Sequence, residues 1–168
     1  TFDNPGGTFK LSARDLKVNS ESVDPIEING NLADRRARIV ATAPAYGITA
    51  TASVGTAQPY PADLEVQARD TDISRLPATQ LTDLSGRVSA TLKASGDLSD
   101  IESARVDAEV PALNLKWRDR VITPDGPINL EYASNELKVS RAVVRIDDST
   151  IRVSGNLPLD AVATGELK

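Results

Sequence analysis

The stretch GRVSATLKAS, Gly86 to Ser95, sets Val88, Ala90, Leu92 and Ala94 on one face of an extended chain. Arg87, Ser89, Thr91, Lys93 and Ser95 fall on the other. Alternation of this kind predicts a strand that is dry on one side and wet on the other. The same two-residue period runs through nearly the whole chain. Phe9, Leu11 and Ala13 alternate, with Leu16 and Val18 continuing the strand, and Ile26, Ile28 and Leu32 follow. A turn at Asp34-Arg35 leads to Ala37, Ile39, Ala41 and Ala43; a turn over Pro44 to Gly47 leads to Ile48, Ala50, Ala52 and Val54. Ala62 to Ala68, Ala104 to Val110, Leu113 to Trp117, Ile128 to Tyr132, Leu137 to Ile146 and Ile151 to Leu157 complete the set. Short alternating runs punctuated by Gly, Pro, Asn and Asp predict an all-β, antiparallel fold. Asp72 to Asp83, DISRLPATQLTD, breaks the pattern and reads as a short helix or an irregular crossover, limited by Pro77.

The chain also repeats itself. FKLSARDLKV (Phe9 to Val18), LEVQARDTDI (Leu64 to Ile73) and AEVPALNLKW (Ala108 to Trp117) share one template. Alternating positions end on Ala13, Ala68 or Ala112; Asp15, Asp70 or Asn114 follows two residues later; the apolar phase then slips by one. A one-residue slip turns later side chains to the opposite face unless a β-bulge absorbs it, and a bulge bends its strand. Three long strands, each kinked at the same place, are expected. Downstream, PIEINGNL at Pro25 matches PINLEYAS at Pro127, and GITATASV at Gly47 matches TIRVSGNL at Thr150. The shared offset of about 100 residues reads as a structural repeat whose units bury their faces only against neighbours. It divides the chain into a first unit over 1–70, a crossover over 71–83 and a second unit over 84–168.

Composition sharpens this picture. Aromatic residues make up only 4% of the 168 residues, and much of the apolar face is alanine. Two packed sheets lie about 10 Å apart and must fill that gap with side chains. Either each Ala faces a larger residue in a closed sandwich, or the apolar face is a trough its own side chains do not fill. Hydrocarbon tails would suit the second case, at about 0.8 kcal/mol per buried CH₂. The net charge of -5 argues against nucleic acid. With no Cys, His or Met, the chain lacks a disulfide framework, a thiol nucleophile and the commonest general base and zinc ligand. No enzyme, cofactor or metal is expected. The pairs Asp70 with Asp72, Asp97 with Asp100 and Asp147 with Asp148 read as turn chemistry rather than calcium ligands or a glycosidase pair. DRRAR, Asp34 to Arg38, reads as a solvated hairpin tip, and Trp117 as a filler at the end of the trough. No apolar run approaches the roughly 20 residues of a membrane-spanning helix. The start at Thr1 without a signal peptide reads as a piece of a longer protein.

Gly86 to Leu159 resembles the AsmA-like family, and within it the TamB-type periplasmic bridge proteins. The resemblance rests on Leu84 to Val88, the turn ASGDLSD at Ala94 to Asp100, the pair Asn114-Leu115, the closing hairpin Val144 to Leu157, and DISRLP at Asp72 to Pro77. It covers the first 70 residues more loosely. It implies a long curved antiparallel sheet folded into an open, taco-like groove with an apolar lining. It implies a periplasmic location in a diderm bacterium, with the full-length protein anchored in the inner membrane. It also implies passage of phospholipid acyl chains towards the outer membrane and, through another part of the chain, an Omp85-type, TamA-like outer-membrane barrel as partner. On this reading Leu11, Ile28, Ile39, Ala50, Val66, Val88, Leu92, Val106, Leu115 and Leu130 line the groove. The rivals are a scaffold that assists outer-membrane protein insertion by strand pairing at its open edges, and a closed β-sandwich module. Open sheet edges also lead one to expect self-association.

Overall fold

In the computed structural model, which describes residues 6–14, 16–18, 21–76 and 83–159, the chain is an all-β protein built on one antiparallel sheet of eleven strands. These are β1 (Gly7–Ala13), β4 (Ile26–Ala33), β5 (Arg36–Ala43), β6 (Ile48–Gly55), β7 (Pro61–Asp72), β8 (Leu84–Asp97), β9 (Asp100–Trp117), β10 (Arg120–Pro124), β11 (Ile128–Ala133), β12 (Glu136–Ile146) and β13 (Ser149–Pro158). Two short strands, β2 (Leu16–Val18) and β3 (Glu21–Val23), form a separate hairpin. Strands pair in chain order, and β10 and β11 both lie between β9 and β12. Tight turns join neighbours, as expected at Asp34-Arg35, which both take positive φ. The pairing of β7 with β8 makes the two expected units parts of one continuous sheet.

The regular ladder is interrupted along a single line across the sheet. β1 ends at Ala13 and β4 begins at its partner Ile26. β5 and β6 finish pairing at Ala43 and Ile48 and turn through a 3-10 segment, Pro44–Tyr46. β7 bulges between Ala68 and Thr71, with Asp70 at φ 49°. β9 carries one extra residue between Glu109 and Ala112, two residues standing opposite Ala90. The strand position shared by β10 and β11 breaks between Pro124 and Ile128, and β12 bulges between Val139 and Ala142. Each extra residue bends its own strand. Aligned across neighbours, they form a crease that divides the sheet into two leaves.

The three-copy template is therefore only partly right. Ala68 and Asp70 behave as expected. In the first copy the strand stops instead of bending: Leu16 and Val18 belong to β2, which pairs only with β3, and Asp15 lies outside the described residues. In the third copy the bulge falls at Val110-Pro111, so Ala112 and Asn114 are on the polar face and exposed. Pro111 explains the shift, because a residue without an N–H fits an interrupted ladder better than a regular one. Over 72–83 the structure shows a 3-10 turn at Ile73–Arg75, and residues 77–82 lie outside the described set.

No second layer covers the apolar face among the described residues, so the closed sandwich is not what they form. Among the described residues only Val23, Ala43, Tyr46, Ala142 and Val143 are buried hydrophobics. Three of them, Val23, Ala43 and Tyr46, make one small core with Ile26, Ile48 and Leu76 at the β4 to β7 end of the crease. Polar contacts bind that corner: the Asp24 N–H donates to Tyr46 Oη at 2.9 Å, and Arg75 pairs with Asp24 at 3.0 Å while lying over the Tyr46 ring.

Candidate functional site

Residues paired across neighbouring strands share a face, so the ladder sorts side chains into rows that cross the sheet. One row runs Leu11, Ile28, Ala41, Ala50, Val66, Leu92, Ala108, Leu130, Val139 and Gly155. Six of the ten expected lining residues stand in it. The next row, towards the hairpin tips, runs Phe9, Gly30, Ile39, Ala52, Leu64, Ala94, Val106, Tyr132, Leu137 and Leu157, and takes in Ile39 and Val106. Val88 and Leu115 lie across the crease, on the same face but on the other leaf. All ten therefore share one continuous apolar face. Leu11 is 57% exposed and the other nine are half-buried, which is what an uncovered single layer gives.

The face also has a depression that the alternation did not single out. About 350 Å³ in volume, it is lined by Ala52, Val54, Leu64, Ala94, Gly96 and Ala104, with Leu98 from the β8–β9 turn and Ile101 from the start of β9 at its margin. Small residues leave the space, and the misregistered end of the hairpin between Ser95 and Asp97 displaces Ile101 outward. Leu98 and Ile101 are 56% and 73% exposed. The signal was in the sequence: DLSDI sets one large aliphatic, Leu98, in a turn where polar residues ordinarily sit, and a second, Ile101, just after it.

The opposite face is its chemical reverse. A larger depression there, about 580 Å³, is lined by Glu65, Gln67, Lys93, Asp107, Glu109 and Glu131 among others. Arg105 pairs with Glu131 at 2.8 Å and with Asp107 at 3.1 Å, and Lys138 reaches Glu131 at 3.9 Å. The Asp107 hydrogen bond, and then the charges of Asp107 and Glu131, raise the Arg105 pKa above its ordinary value. Its charges answer one another in water. It offers hydrocarbon nothing, and the smaller apolar depression carries the functional argument despite its size.

The remaining candidates resolve into structure. Asp72 caps the 3-10 turn by accepting from the N–H and hydroxyl of Ser74. Asp97 does the same for Ser99 in the β8–β9 turn, and Asp70 pairs with Arg87. Among the described residues, no group of three or more acidic side chains is placed to hold a metal. Asp34 and Arg35 are exposed at the β4–β5 tip, while Arg36 donates to Ser53 and pairs with Asp63. Trp117 departs from expectation: it stands half in water at the far margin, with Arg118 over its ring, and fills no cavity. No described helix is long and apolar enough to cross a membrane.

The comparisons with known proteins add nothing to this geometry: no family model, curated protein or solved structure matches the chain.

Proposed function

We propose that this chain is a non-enzymatic segment of a lipid-transfer bridge, and that its apolar face carries phospholipid acyl chains across the periplasm between inner and outer membranes. The observation that supports this most directly is a sheet ten strand positions wide whose apolar rows no layer covers among the described residues. Exposed aliphatic area of this extent is unfavourable in water and is gained back when hydrocarbon lies on it. The rows run across the strands, so an acyl chain lying along a row passes from strand to strand without meeting a charge. The resemblance of Gly86 to Leu159 to the AsmA-like family points the same way, and with it to an Omp85-type barrel as partner of the full-length protein.

The test is photo-crosslinking in cells. A photoreactive residue replacing Val66 or Leu92 should capture phospholipid, while one replacing Glu65 or Lys93 on the other face should not. Equal capture from both faces, or none from either, would remove the reading. A scaffold that assists outer-membrane proteins by strand pairing is supported by a separate observation, the open edges at β1 and β13. It would show client protein, rather than lipid, crosslinked at those edges.

A further inference from the structure

Both lateral edges of the sheet are unpaired among the described residues: β1 meets only β4, and β13 meets only β12. Edge strands are usually protected by charge, proline or bulges. These two carry Lys10, Arg152 and Pro158, yet between them they also hold Phe9, Leu11, Ile151, Val153 and Leu157 at 41–57% exposure. We propose that β13 of one molecule pairs antiparallel with β1 of a second copy, head to tail, so that the apolar face continues from one molecule into the next. The proposal concerns the edges alone and does not rest on what the face carries.

Strand count supplies the first argument. Eleven strands occupy ten positions, because β10 and β11 share the place between β9 and β12. In an antiparallel sheet, strand direction and the alternation of hydrogen-bonded with non-hydrogen-bonded pairs both repeat every two positions. Ten is even. A β1 placed beyond β13 therefore arrives with the required direction, and in the row register with the required hydrogen-bond phase.

The rows fix that register. One ends on Gly155 and began on Leu11; the next ends on Leu157 and began on Phe9. Continuing them sets Leu157 opposite Phe9, Gly155 opposite Leu11 and Val153 opposite Ala13 of the second copy. A slip of one residue would carry Phe9 and Leu11 to the polar face. The side chains suit the match. A Cβ on Gly155 would meet nothing within 4 Å, so there is room for the exposed Leu11, and Val153 meets a small partner. On the polar face Asn156 faces Lys10 and Ser154 faces Ser12, so no like charges meet along β1; the one like pair, Arg152 with Arg14, falls just past the end of β1. Such an interface is heterologous and leaves a free edge at each end, so it propagates. Each added copy would lengthen the sheet by about 48 Å, at roughly 4.8 Å per strand position.

The chain has no Cys, so engineered thiols report pairing without background. Asn156→Cys and Lys10→Cys chains, mixed in equal amounts and air-oxidised, should give the disulfide-linked pair. A mixture of Asn156→Cys with Leu11→Cys, one residue out of register, should give at least ten-fold less. Sedimentation velocity should show concentration-dependent association that Phe9→Glu with Leu157→Glu abolishes and Phe9→Lys with Leu157→Glu restores. Circular dichroism confirms that each exposed-edge variant is folded. A monomer at every concentration, crosslinking indifferent to register, or preferential disulfides within either single variant alone would each overturn the proposal.

Discussion

Among the described residues, Thr71 is the one side chain that pays for its place without a return. The β7 bulge carries it to the apolar face opposite Val88, where it is 1% exposed and its Oγ1 has no hydrogen-bond partner. A buried hydroxyl left unpaired costs about 1–3 kcal/mol. Valine has the same shape without the polar atom. Thr71→Val should therefore stabilise the fold by about 1 kcal/mol, read as a higher urea midpoint at unchanged slope. A loss of stability would show that the hydroxyl has a partner. Gly86 makes the opposite demand. It sits in β8 at φ 132°, and a Cβ there would run into the Asn114 carbonyl of β9. Backbone cannot yield as a flexible side chain can, so Gly86→Ala should cost at least about 2 kcal/mol in the same assay.

At the scale of elements, the crease depends on chain count more than on any one contact. Deleting Asp70 would remove the β7 bulge and straighten the strand: Thr71 stays opposite Val88, but the 3-10 turn at Ile73–Arg75 loses the bend that brings it to the crease. The Tyr46 corner, which holds Leu76 and Arg75, would then lose its partners. Hydrogen exchange should accelerate around Tyr46 and Val23 while the β8–β9 amides keep their protection; uniform protection would mean that the bulge is dispensable. The same turn carries a pH signature. Ser74 donates to Asp72 through its hydroxyl and its N–H, which holds that carboxyl below its ordinary value. A folded-state value below the unfolded one gives a contribution that is complete above the ordinary carboxylate range and lost as pH falls through the folded value. An NMR titration should place Asp72 below ordinary aspartates, and Ser74→Ala should move it back up. No movement would mean that Ser74 is not the cause.

How legible these elements were follows from the same physics. The period of two announced the strands and their faces because each strand is half wet, and turn residues such as Asp34 marked where they end. The slip after Ala68 announced a bulge because Asp70 followed it. The slip near Pro111 was misplaced because Ala112 imitates a third inward residue, and a small side chain looks alike on either face. Tyr46 and Thr71 were not legible as buried residues. Their burial comes from β3 and the two 3-10 turns folding onto the crease, a long-range event that alternation does not encode. The ten lining residues could be put on one face from pattern alone, but not into rows. Rows depend on inter-strand register, which turn lengths and bulges set jointly.

On the scale of the whole molecule, the question is whether the apolar face is a surface or an interior. In a closed core, an unpaired buried charge costs about 3–5 kcal/mol. Val66 and Leu92 stand side by side in the middle of the apolar row that runs from Leu11 to Gly155, and both are half-buried. A glutamate at either position can turn its carboxylate to water, because no layer stands over it. Val66→Glu and Leu92→Glu, each made singly, should therefore cost only about 1 kcal/mol, the span of strand propensity itself. The same changes should abolish lipid capture at neighbouring positions, because a charge in the row must lose its water whenever hydrocarbon lies across it. Lys93→Glu, one residue away on the wet face, should leave capture unchanged. The two readouts separate the alternatives: small stability losses with lost capture are what an open lipid-bearing face requires. Losses of 3 kcal/mol or more would mean that protein covers this row in solution.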